Sequence, residues 1–324
     1  MKIFLFSFQG ALFASKYIIR GRTMMSLENG EIQVKKCLLK EKVIQINPSS
    51  HPSTQPLKIG IVNLMPQKEV TEEQLFGLLE KSQQSIAVYL IKMGSYESTT
   101  TKKEHLETHY YTIQDLKDQS FDGFIITGAP IETIPFEEVD YWSELTEIIE
   151  WSQTQSHSTL YICWGAMAGL YYSYGIDKYL LKEKLSGVFK QEVNQAHPLV
   201  QGFPSTFCYP QSRYTQVNQE QLAQCPLTAV ASSQELGPTI LASENLRAIY
   251  ILGHLEYAKE TLKNEYIRAL LNGLNPNVPE NYFKNNDPNG NIIPSWHAES
   301  VLFYQNWLTQ LAQNKRKYNT SSER

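Results

Sequence analysis

The stretch "STLYICWGAMAGLYY", residues 158–172, decides how the rest of the chain is read. Its first half is apolar, with β-branched and aromatic residues, the composition of a strand buried on both faces. At Cys163 the pattern breaks, small residues enter in "WGAMAG", and helical spacing takes over. A strand that ends on a nucleophile and turns at once into a Gly/Ala-rich helix has elbow geometry, because small neighbours permit the sharp turn and the helix amino terminus faces the side chain. On such a turn a Cys163 thiolate gains from the helix dipole, and the backbone N–H of Trp164 is free to meet a developing oxyanion. Most buried free cysteines are small core hydrophobes, so the elbow alone leaves both readings open.

Working outward, the chain alternates. "KIGIVNLM" (58–65), between Pro56 and Pro66, reads as a buried parallel strand, and "TEEQLFGLLEKS" (71–82) as a helix with Leu75, Leu78 and Leu79 on one face. The helix start, Thr71-x-x-Gln74, has the form of a capping box. "IAVYLIKM" (86–93) and "FDGFIITGAP" (121–130) follow as strands and "SELTEIIEWSQ" (143–153) as a helix, before the opening stretch supplies a fourth strand and its outgoing helix. This order predicts an α/β fold with a doubly wound, mostly parallel sheet, whose sites gather at the carboxyl ends of the strands. Those ends carry "NLMPQK", "TGAPIE", "ICWGA" and "LRAIYILGHLEY". The last places His254 as a base for Cys163 and Glu256 as the carboxylate that orients it, a Cys-His-Glu triad assembled across the sheet. His105, His109 and His157 lie in polar surroundings and are expected to be solvated.

Composition excludes other classes. The 324 residues carry a net charge of −4, without the basic signature of a nucleic-acid binder, and no apolar run is long enough to span a membrane. Cys37, Cys163, Cys208 and Cys225 show no CxxC spacing and the seven histidines no ligand pair, so neither a disulfide framework nor a metal centre is expected. A reducing cytoplasm fits. Residues 1–23, with a generic small-residue match at "ALFAS", are expected to be an untranslated leader before Met24 or Met25, within an arm that reaches residue 56 through "NPSSHPSTQP". Residues 57–312 form the expected domain and 313–324 a polar tail.

Many motifs in one order carry a resemblance: "IGIVNLMPQKEVTEEQ", "FDGFIITGAPIETIPFEEVDYW", "ICWGAMAGLYYSYGI", "EKLSGVF", "QSRYTQV", "GHLEYAKETLKNEYIR", "GLNPNVPENYF" and "NWL". Together, over roughly residues 57–312, they resemble the homoserine O-acyltransferases of methionine biosynthesis. The resemblance implies a class I glutamine-amidotransferase-like (flavodoxin-like) fold. It implies Cys163 as the acyl-thioester nucleophile, His254 as general base and Glu256 as third triad member. Lys184 and Ser212 become substrate contacts, Arg268 the clamp for the amino-acid carboxylate, and Lys68 a neighbour of the oxyanion region. Glu132 implies acetyl-CoA rather than succinyl-CoA, since a buried carboxylate repels a succinyl carboxylate and shortens the acyl pocket. No tightly bound cofactor or metal is implied; the partners are acetyl-CoA and L-homoserine, with a homodimer as the further expectation. The chain has Met167, Leu255 and "WHAESVLF" where the family usually reads an amide, a proline and "WRSHANLLF". Serine as acceptor and amide hydrolysis, as in glutaminase domains, are the alternative chemistries open to a Cys-His-Glu site.

Overall fold

The structure is a computed structural model that describes residues 17–19, 24–28, 31–35, 42–46 and 55–322. Strands β1 (Tyr17–Ile19), β2 (Met24–Glu28) and β3 (Glu31–Lys35) form a small antiparallel sheet, with Ile19 opposite Met24 and Glu28 opposite Glu31. β1 falls inside the stretch expected to be an untranslated leader; the remainder of that stretch, and Cys37, lie outside the described residues. Next come β4 (Ile44–Ile46), β5 (Leu57–Val62), α1 (Lys68–Leu79), β6 (Ile86–Ile91), α2 (Lys103–His109), β7 (Tyr110–Tyr111), α3 (Ile113–Leu116) and β8 (Gly123–Ile126). They are followed by α4 (Trp142–Gln155), β9 (Thr159–Ile162), α5 (Trp164–Tyr174), β10 (Lys178–Val193), β11 (Thr206–Val217), α6 (Gln219–Leu222), β12 (Thr228–Ser233), β13 (Gly237–Ala242), β14 (Ala248–Ile251), α7 (Thr261–Leu271) and α8 (His297–Ser322).

The main sheet has a parallel centre in the order β6-β5-β8-β9-β14, flanked on one side by β4, antiparallel to β6, and on the other by the antiparallel strands β13, β12, β10 and β11. The chain starts the centre at β5, moves to β6, then crosses back to β8, so the winding direction reverses between β5 and β8. Crevices open at such switch points, at the carboxyl ends of the strands. The apolar runs of β8, β9 and β14 are buried on both faces. Along β9, Leu160 and Ile162 join one core with Leu75 of α1 and Trp307 of α8, whereas Tyr161 joins the other with Leu145 of α4 and Leu170 of α5. Helices on both faces make the sheet doubly wound.

Three boundaries differ from expectation. α1 begins after Gln67, one turn before the proposed capping box, and Thr71 is a buried residue inside it. Ile44 and Ile46 are buried in an edge strand within the expected arm. α8 continues to Ser322 through the expected tail, and Lys315 pairs at 2.8 Å with Asp122.

Candidate active site

Cys163 is the residue between β9 and α5, and its backbone adopts φ 51°, ψ −113°, a conformation that costs a non-glycine residue about 1–3 kcal/mol. Its neighbours hold it there. The Cys163 N–H donates to Ile251 O at 2.7 Å, its carbonyl accepts from Met167 N–H at 3.1 Å, and Gly165 lets the first turn of α5 sit on β8, since a Cβ there would lie 2.5 Å from Thr127 O. The turn lifts the side chain above the sheet edge, where Sγ lies 4.0 Å from Ser212 O. Trp164 is the first residue of α5, where backbone N–H groups have no partner within the helix; its indole is fully buried in the second core.

β14 lies beside β9 with Ile251 opposite Ile162, so the residues after each strand emerge together. His254 follows from that register. Its backbone N–H is fixed to Pro210 O at 2.9 Å, its Nδ1 lies 2.6 Å from Glu256 Oε1, and its ring stacks on Tyr257 with centroids 3.9 Å apart. Burial alone pulls the imidazole pKa down, but the charges of Cys163 and Glu256, with hydrogen bonds to both, outweigh it and hold the value well above the usual range. The protonated form of His254 is what these surroundings favour. Leu255, between base and carboxylate, points into the first core.

A cavity of about 330 Å³ opens above Cys163 and is lined by His254, Glu132, Lys184, Ser212 and Arg268 among others. Its organiser is Glu265 of α7. One carboxylate oxygen accepts from Ser212 Oγ at 2.5 Å and lies 3.2 Å from Lys184 Nζ, and the other accepts from Tyr257 OH at 2.6 Å. Burial pushes the Glu265 carboxyl up, yet the Lys184 charge and these hydrogen bonds prevail and leave it below the ordinary carboxylate range. Lys184 reaches the cavity from an irregularity in β10: between the pairs Leu180–Thr215 and Leu185–Arg213, β10 advances five residues while β11 advances two. Arg268, one helical turn after Glu265, is exposed and donates to the neutral Gln67 Oε1 at 3.2 Å. Sequence reasoning missed Glu265 and Tyr257; the i, i+3 spacing of Glu265 and Arg268 was the available signal.

Two expected site residues are placed differently. Glu132 lines the cavity but is only half-buried, accepting from Tyr214 N–H at 3.2 Å. Lys68 does not line the Cys163 cavity; it lines a neighbouring one and donates to the carbonyls of Asn63 and Met65. Burial, partly offset by Glu72, lowers its pKa to about 8. The solvated histidines also differ: His105 is half-buried with Nε2 2.9 Å from Glu72, which also accepts from Tyr110 OH. A further buried cation, Arg213, donates to neutral acceptors, Leu252 O at 2.9 Å, Gln216 Oε1 at 2.6 Å and Gln211 Oε1. Among the described residues no cluster of His, Cys, Asp or Glu is placed to hold a metal ion, and no helix is long and apolar enough to cross a membrane.

Comparison with known proteins gives a consistent family. The model of the family described as homoserine O-succinyltransferase matches residues 29–318. A homoserine O-acetyltransferase of Streptococcus pneumoniae is 47% identical over 262 residues, covering 80% of this chain and 83% of that protein. One of Streptococcus thermophilus is 45% identical over 278 residues, covering 85% and 88%. Among solved structures, a glutamine amidotransferase from Thermotoga maritima superposes with a TM-score of 0.51 over 79% of this chain and 98% of that one, at 14% identity, a likeness of fold alone.

Proposed function

Because the chain belongs to the homoserine O-succinyltransferase family, and its relatives at 45–47% identity are homoserine O-acetyltransferases, we propose that the Cys163 site carries out acetyl transfer to homoserine through a thioester on Cys163. The chain is an O-acyltransferase of the homoserine, methionine-biosynthetic type. The donor in this reading is acetyl-CoA, and the free thiols Cys163, Cys208 and Cys225 suit a reducing cytoplasm.

The chemistry follows from the charge pair. The Cys163 thiolate attacks the thioester carbon, and the oxyanion that forms meets the amino terminus of α5 at Trp164. Collapse expels the coenzyme thiolate, which takes the proton from His254. Neutral His254 then removes the proton from the homoserine hydroxyl as that oxygen attacks the acyl-cysteine, and Cys163 leaves as thiolate beside His254, once more protonated. Glu256 holds the ring in one tautomer and stabilises its cation in the first half-reaction. Arg268 is open to the homoserine carboxylate, for which its planar fork is suited, while Lys184 and Ser212, held by Glu265, face the amino-acid end. Glu132 narrows the acyl side with bulk and negative charge, which disfavours a succinyl group.

The single observation that carries this reading is the strained, buried elbow that sets Cys163 against a His254–Glu256 pair. Its test is intact-protein mass spectrometry: wild type mixed with acetyl-CoA should gain one acetyl group that homoserine discharges, and Cys163→Ala should gain none. An adduct that persists in Cys163→Ala would move the nucleophile elsewhere.

A further inference from the structure

We infer that a second cavity, of about 290 Å³ at the carboxyl ends of β5, β6 and β8, receives the pantetheine arm of the acyl-CoA donor. This rests on the acyltransferase reading. The two cavities share a wall, because Met65, Pro66, Ala129 and Pro130 line both. A donor whose thioester carbon is at Cys163 needs a channel for a long chain, and the pocket above Cys163 already holds the charged groups that suit an amino acid, Arg268 and the Lys184–Glu265 pair.

The second cavity lies where the winding of the sheet reverses, with Asn63 after β5, Met93 after β6 and Ala129 after β8 on its walls. Its chemistry matches a pantetheine arm, a neutral chain of two amides, a hydroxyl and paired methyl groups. Apolar side chains such as Leu64, Met93 and Ile131 share its lining with the hydroxyls of Ser98, Thr99 and Tyr141, and the charges cancel, Lys68 and Lys92 against Glu138 and Asp140. The third cavity, which meets the catalytic pocket at Glu132 and Thr133, fits less well: Glu137 and Asp177 with Glu132 outweigh Lys178, and net negative walls repel the donor's phosphates.

The test compares acetyl-CoA with S-acetyl-N-acetylcysteamine, a thioester that lacks most of the arm. Ser98→Trp and Ile134→Trp each place an indole in the second cavity from positions that do not line the Cys163 pocket. In either variant the KM for acetyl-CoA should rise at least about tenfold, while kcat/KM for the truncated thioester and the KM for homoserine stay within about twofold of wild type. Two variants that both leave acetyl-CoA kinetics unchanged, or that weaken both thioesters equally, would overturn the assignment. Wild type that turns over neither thioester would instead overturn the acyltransferase reading itself.

Discussion

Glu265 shows how a residue acquires a role that its own sequence position hardly announces. It sits on α7, yet its three partners come from β10, β11 and the loop after His254, so its value is set by what other elements aim at it. Replacing it by Gln keeps the shape and removes the charge that holds Lys184. Glu265→Gln should therefore lower kcat/KM for homoserine by about 1–2 kcal/mol, mostly through KM, while leaving the rate at which acetyl-CoA acylates Cys163 unchanged. Single-turnover acylation measured beside steady-state kinetics separates the two, and an equal loss in both would place Glu265 in the nucleophile's own machinery. Cys163 and His254 were legible in the sequence for the opposite reason. Each directly follows or nearly follows a strand buried on both faces, and the ends of such strands are where side chains leave the core.

At the scale of elements, periodicity located strands better than it located helix starts and isolated polar residues. Gln67 precedes α1 without a side-chain cap bond, and Lys68, Thr71 and Glu72 of the first turns are buried, so no local capping chemistry marks this start and Thr71-x-x-Gln74 misled. His105 was invisible as a half-buried, partnered group because its partner Glu72 is on α1, 33 residues away. Although burial alone lowers the His105 pKa, its hydrogen bond to Glu72 and the charges of Glu72 and Glu69 raise it overall. A histidine whose pKa is higher folded than unfolded contributes stability that is complete below the unfolded value of about 6.5 and disappears as pH rises through the folded value. His105→Gln should thus melt further below wild type at about pH 5.5 than at about pH 8.5. A gap that stays constant or widens towards alkaline pH would mean that the imidazole is neutral in the fold.

For the whole molecule, the sequence showed the alternation and hence the wound parallel centre, but not how the two ends of the chain close on it. Asp122, at the foot of β8, accepts from the backbone of Lys58 at 2.8 Å and pairs with Lys315 near the end of α8, tying the first parallel strand, the third and the last helix together. Both side chains are largely shielded, 8% and 20% exposed, so Lys315→Met should cost about 1–3 kcal/mol by urea unfolding, and a chain stopped at residue 312 at least as much. A change within about 0.5 kcal/mol would make the last turns dispensable. The antiparallel flank has a different character, because β10 already accommodates extra residues opposite β11 just where Lys184 projects. A bulge that has absorbed an insertion can gain or lose another without disturbing its neighbours, whereas one residue added to β9 or β14 would rotate every side chain to the opposite face. One residue inserted or deleted around positions 181–184 should accordingly move Lys184 while leaving the melting temperature nearly unchanged, an editable margin beside a parallel centre that tolerates no such edit.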